Sequence, residues 1–215
     1  MGATNNNRRR LSLGEEISNA ISHGLGAVFG IVALILMLIK ADLPREYIGV
    51  SVFGAAIIIM YTMSSLYHSF RSGSTVKKVF RIFDYVSIYI LIGGTYTPIL
   101  ITLITDHNHP WGYIFLGIYW LIITVGIVLK ATMFHRVKWL HMLFYVLIGW
   151  GGIVFAKTMY DYNLNFLLFT IAGGLSYTIG IIFFGLKFKY THFIWHIFVL
   201  MGTILHFIGI YFYLL

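Results

Sequence analysis

The chain has 215 residues, of which 59% are hydrophobic and only 10% charged, against roughly 25% charged in a soluble domain. One core of this size cannot bury so much apolar surface, so the surplus must face lipid and a water-soluble fold is excluded. The formal charge of +8 sits in short clusters between apolar runs rather than along one stripe, which argues against a nucleic-acid surface. Without cysteine there is no disulfide, thiolate ligand or cysteine nucleophile, so any metal must be held by His, Asp or Glu.

In chain order, Arg8, Arg9 and Arg10 resemble the start of a signal peptide, but the apolar run that follows is too long for one and is expected to remain as a helix. A span needs about 20 mainly apolar residues. Seven stretches qualify: Ile17 to Ile39, Tyr47 to Phe70, Ile82 to Thr105, Trp111 to Leu129, Trp139 to Ala156, Tyr162 to Leu186 and Tyr190 to Leu215. The expected organisation is a short N-terminal segment, residues 1–16, followed by one seven-helix transmembrane domain, residues 17–215. Two-residue alternation is not visible, so an all-α protein is expected rather than a β-barrel. Within these stretches Asp84 is the only Asp, Glu, Lys or Arg.

Lys and Arg are unequally shared between the two sides of the spans. Arg8, Arg9, Arg10, Arg71, Lys77, Lys78, Arg81, Lys130, Arg136, Lys138, Lys187 and Lys189 fall on one side, and Lys40, Arg45 and Lys157 on the other. The positive-inside bias therefore predicts a cytoplasmic N-terminus and a C-terminus outside. Gly93-Gly94 and Gly173-Gly174 read as sites of close helix packing. Trp111, Trp139, Tyr160 and Tyr190 read as interfacial anchors.

Polar residues in lipid are costly, so several at one depth point to a site. Asn19 and His23 begin the first span, Ser64 and His68 end the second, Asp84 begins the third, and His192 and His196 begin the seventh. With the deduced topology all lie at cytoplasmic ends. His192 and His196 are four apart and share a helix face, as do Ser64 and His68. His68, His192 and His196 would supply three neutral nitrogens and leave a fourth position open, the pattern of catalytic zinc. Each residue also has a plainer reading. Asp84 could favour the positive start of its helix, Ser64 could bond back to its own backbone, and His23 could pair with Glu15 or Glu16 at the interface. His206 lies about 15 Å along the helix from His196, too far to share an ion. His107, His109, His135 and His141 fall in or beside loops and are expected to be solvated or interfacial.

Three motifs resemble the hemolysin III family, the bacterial branch of the progestin and adipoQ receptor family, itself similar to the alkaline ceramidases. They are Glu16-x-x-Asn19-x-x-x-His23, Ser64-x-x-x-His68 followed by Phe-Asp84-Tyr, and His192-x-x-x-His196. The resemblance spans nearly the whole chain. It implies seven helices, zinc on His68, His192 and His196, and Asp84 and Ser64 attending the water that such a metal activates. Glu16, Asn19 and His23 would support the site. The resemblance points to a bacterial plasma membrane and to membrane lipids as partners.

Three functions are open. A zinc hydrolase would cleave an acyl or amide bond of a membrane lipid, with Asp84 as proton acceptor and Ser64 as hydrogen-bond donor. A lipid-sensing or signalling protein would use zinc as a clamp. A haemolytic pore, which the family name suggests, would need polar residues recurring through the depth of several helices, and the outer halves here are nearly all apolar.

Overall fold

Lipid offers a backbone no hydrogen bonds, so each span must satisfy its own peptide groups as a helix. A computed structural model describes residues 11–104, 111–132 and 138–215. All regular structure among these residues is helical, and seven segments are long and apolar enough to cross a membrane. The chain is an all-α, multi-pass membrane protein. In order, the elements are α1 (Leu13–Lys40), α2 (Pro44–Ser69), α3 (Thr75–Pro98) continuing into a π-helical turn (Ile99–Ile104), α4 (Trp111–Thr132), α5 (Lys138–Gly149), a 3-10 segment (Gly151–Phe155), α6 (Ala156–Tyr162), α7 (Leu164–Gly185) and α8 (Thr191–Tyr213).

The helices start where caps are available rather than where hydropathy begins. Ser12 and Glu15 form a capping box that starts α1 a turn before the expected Ile17. Pro44 opens α2, and Glu46 accepts from the backbone N–H of Asp42 and Leu43. Ser74 caps α3 through the Lys77 N–H, so this helix begins seven residues before Ile82. Its first two turns carry Lys77, Lys78 and Arg81 and are invisible to a hydropathy reading. The fifth span is composite, α5 and α6 being joined through the 3-10 segment around Gly149, Gly151 and Gly152, and it reaches Tyr162 rather than stopping at Ala156. Asn163 then caps α7 by accepting from the N–H groups of Asn165 and Phe166.

α2 packs along both α1 and α3, α7 packs along α8, and α8 returns against α1, so the first and last helices lie side by side. The interior is built from Met37, Phe53, Ile57, Met60, Tyr61, Leu100 and Ile210. α4, the fifth span and α7 turn most of their side chains outward, the expected face toward lipid.

Gly94 shows why small residues matter here: a Cβ at this position would collide with the Cβ of Ala56 on α2. Gly94→Leu is expected to part α2 from α3 and destabilise the protein by about 1–3 kcal/mol. Thermal unfolding in detergent checks this.

Candidate metal centre

The return of α8 against α1 sets the first turn of α8 beside the last turn of α2. His68 and His196 are buried and His192 is partly buried. Their Nε2 atoms converge: His192 Nε2 is 3.2 Å from that of His68 and 3.2 Å from that of His196. Metal–nitrogen bonds of about 2.0–2.1 Å at tetrahedral angles place ligand atoms about 3.3 Å apart. One ligand atom from each of the three residues lies within 4.8 Å of the others, so the group could hold a metal ion.

The hydrogens on the far sides of these rings strengthen that reading. His68 Nδ1 is 2.7 Å from Glu16 Oε2 and donates to it. His196 Nδ1 lies 3.3 Å from the carbonyl oxygen of Asn19, which can only accept, and 3.2 Å from Ser22 Oγ. With Nδ1 protonated in both neutral rings, Nε2 of His68 and of His196 is a bare lone pair. A hydrogen on His192 Nε2 could serve only one of them. A cation satisfies all three.

α1 supplies the supports. Glu16 divides its carboxylate between His68 and Lys77, whose Nζ is 2.9 Å from Oε1 and also donates to the Phe70 carbonyl at 3.1 Å. Glu15 closes its capping box with Ser12 and accepts the Tyr190 N–H at 2.9 Å. Tyr190 immediately precedes α8 and has φ of 64°, a left-handed conformation unusual for a residue with a side chain. The carboxylate thereby holds the turn that aims His192.

Several expectations from the sequence change. His23 does not pair with Glu15 or Glu16. Its ring stacks on that of His196, 3.5 Å between centroids and 11° from parallel, and stands edge-on to Tyr61. Asp84 is not at a helix start, because α3 begins at Thr75; the carboxylate is buried two turns in, facing His68 and Ser64. Ser64 Oγ does not bond back to its own helix; it is buried, and the neighbour it faces is the Asp84 carboxylate. The Asn19 side-chain amide and both ring nitrogens of His23 are buried without a hydrogen-bond partner. His141 is buried rather than interfacial, with Nδ1 3.0 Å from the Tyr89 hydroxyl. His206 stays apart from the cluster as expected, packed against Gly173 and Tyr177. His107, His109 and His135 lie outside the described residues. From the sequence, Glu15 enters only as a partner of His23, and Ser22 and Lys77 do not stand out as neighbours of the site. Ser12-x-x-Glu15 is a readable cap signal, but nothing local marks Ser22 or Lys77 as neighbours of a histidine.

A cavity of about 460 Å³ opens from this centre into the bundle. His23, Ser64, Asp84, His192 and His196 form its polar end, and Leu91, Ile92, Val146, Ile181 and Val199 are among its apolar walls.

The sequence matches the family described as Haemolysin-III related over residues 11–207. It is similar to "Hemolysin-3" of Bacillus cereus, 39% identical over 208 residues that cover 94% of this chain and 92% of that protein. "Hemolysin-3 homolog" of Bacillus subtilis (strain 168) is 34% identical over 93% of this chain and 94% of its own length. More distantly, "Monocyte to macrophage differentiation factor" of Homo sapiens is 26% identical, covering 97% of this chain and 88% of that protein.

Glu16→Gln keeps the shape of the side chain but weakens its hold on the His68 imidazole. It is expected to lower the affinity of the cluster for a divalent ion by about 10–100-fold. Competition against a chelator of known affinity measures this.

Proposed function

This chain belongs to the haemolysin-III-related family, and on that premise we propose that it is a zinc-dependent hydrolase of an acyl or amide bond in a membrane lipid. The observation that carries the reading is the three converging imidazole nitrogens with an acid and a buried hydroxyl beside them, all at the end of an apolar cavity. His68, His192 and His196 are the ligands, and neutral nitrogen donors in a three-histidine set with an open position suit zinc. Bound there, zinc supplies Lewis-acid polarisation of a carbonyl and activation of water near neutral pH.

The chain's own groups do the rest. Asp84 is the proton acceptor, its carboxylate facing His68 and Ser64. Ser64 Oγ donates a hydrogen bond to the substrate oxygen as negative charge gathers on it; it lies beside the Asp84 carboxylate and is not tied back to its own helix. Glu16 and the Asn19 carbonyl hold His68 and His196 with Nε2 inward. His23, stacked on His196, keeps that ring from turning. The apolar cavity receives a hydrocarbon chain and excludes water from it. Substrates are membrane lipids, and the proposed location is a bacterial plasma membrane, a reading supported by the bacterial origin of two relatives.

A lytic role is the second reading, favoured by the name that the two bacterial relatives carry. The cavity walls are mainly apolar, which suits a lipid chain better than an ion path. A lipid-sensing role, with zinc as a clamp between α2 and α8, shares the same cluster and differs in making no product.

Purified protein is expected to carry zinc and to release fatty acid from lipid, His196→Ala to lose both, and Asp84→Asn to keep zinc but lose most turnover. Metal analysis paired with mass spectrometry of incubated lipids checks this. Vesicle leakage that persists after metal removal, with no product, would support the lytic reading instead. Orientation has its own test, because the chain lacks cysteine. With the N-terminus cytoplasmic, Asp161→Cys is expected to react with an impermeant maleimide on intact cells, and Ser72→Cys only after permeabilisation.

A further inference from the structure

The far end of the cavity carries a histidine that the histidine cluster does not use. His206 lines the wall together with Tyr177, Thr178 and Val199. It lies ten residues beyond His196 along α8, a rise of about 15 Å toward the outer end of the bundle. Gly173 on α7 makes room for it: a Cβ there would collide with the imidazole ring. An ionisable ring turned inward at this depth is costly and marks a ligand path.

The hydrogen bonds around the ring define what it lacks. His206 bonds to the backbone of Thr170, where the carbonyl oxygen can only accept, so one ring nitrogen carries its hydrogen to that oxygen. A neutral imidazole has no second hydrogen, and the other nitrogen is a lone pair. The neighbouring donors are committed elsewhere. Thr203 Oγ1 donates to the Val199 carbonyl at 3.1 Å and therefore takes the hydrogens of both Tyr61 and Tyr177, whose hydroxyls stand 2.7 and 2.9 Å away. Tyr177, edge-on to His206, thus turns its hydrogen away from the ring. Thr170 Oγ1 donates to the Phe166 carbonyl, Trp150 Nε1 to Thr178 Oγ1, and Thr178 Oγ1 to the Gly174 carbonyl. At this depth these groups offer acceptors and no spare hydrogen, so what fits the ring is a donor brought by the ligand.

We propose that His206 accepts a hydrogen bond from a hydroxyl borne on the hydrocarbon chain of the ligand, so that the cavity selects lipids hydroxylated well away from the headgroup. The proposal rests on the reading of the cavity as a lipid site and names the chain that fits it. It concerns binding, not turnover. A ketone at the same place on the chain brings no hydrogen, and a hydroxyl beside the carboxyl group falls at the histidine cluster, about 15 Å short.

The test is equilibrium binding of four probes of one chain length to protein in phosphatidylcholine nanodiscs. They are stearate, stearate with a mid-chain hydroxyl, stearate with a mid-chain ketone, and stearate with its hydroxyl beside the carboxylate. Each is assayed with wild type, His206→Phe and His206→Gln. Wild type is expected to bind the mid-chain alcohol about tenfold more tightly than the ketone, the worth of one hydrogen bond in a dry site. His206→Phe should erase that preference and leave the binding of plain stearate unchanged. His206→Gln should retain it, because its amide can donate to the Thr170 carbonyl and still present an oxygen. The proposal is overturned if wild type shows no preference, the result expected when a buried water already satisfies the ring. It is also overturned if the preference survives His206→Phe, or if that variant weakens all four probes alike, which marks a packing role. Should the Phe variant not fold, the comparison of alcohol with ketone in wild type decides. Failure of every probe to bind removes the lipid reading of the cavity and this proposal together, whereas stearate binding without a preference removes this proposal alone. A preference that persists in protein showing no lipid hydrolysis removes the hydrolase reading and leaves this one standing.

Discussion

The three imidazoles meet because α1 holds them from behind. Two of them present lone pairs to the same small volume only because their other nitrogens are committed elsewhere, His68 to Glu16 and His196 to the Asn19 carbonyl. In water such commitments would be weak and exchangeable. Inside a bundle, where an unmade polar contact costs about 1–3 kcal/mol, they fix ring orientation and tautomer together. α1 contributes none of the converging nitrogens, yet without it α2 and α8 would have no reason to present theirs at the same point.

The same helix ties the turn before α8. Glu15 and Glu16 are adjacent and serve opposite sides of the site, Glu15 reaching Tyr190 and Glu16 reaching His68 and Lys77. Lys77 extends the network to the start of α3, the helix that carries Asp84. Four helices are thus fastened at one end of the bundle by charge-assisted bonds. Deeper in, contacts are apolar or go through hydroxyls, as where Tyr61 and Tyr177 both meet Thr203. A polar end fastened tightly and an apolar body packed on small residues is a reasonable division of labour in lipid, where packing rather than the hydrophobic effect joins helices.

The cavity follows from that division. It is lined by residues of α3, α5, α7 and α8, and it joins the polar end to the apolar interior. A ligand with a polar group and a hydrocarbon chain matches both. The proposed lipid chemistry draws on the converging imidazoles and on this cavity, two separate observations.

The seven spans and the membrane class were legible in the sequence because hydropathy is a local property, summed over about 20 residues at a time. The i, i+4 pairs were legible for the same reason: helical geometry fixes which side chains share a face. That His68 would join His192 and His196 was suggested by depth and by resemblance, and the fold then brought the three rings together. Helix starts were misjudged where charged first turns hid them, as in α3. Partner choice was not legible at all. That Glu16 would take His68 and Lys77 rather than His23, and that His23 would stack on His196, depend on how α1, α3 and α8 pack. The sequence by itself determined which segments enter the membrane and which faces they carry. Only the tertiary structure decided which buried polar groups satisfy one another, because those pairings join residues far apart in the chain and are set by helix register rather than by local composition.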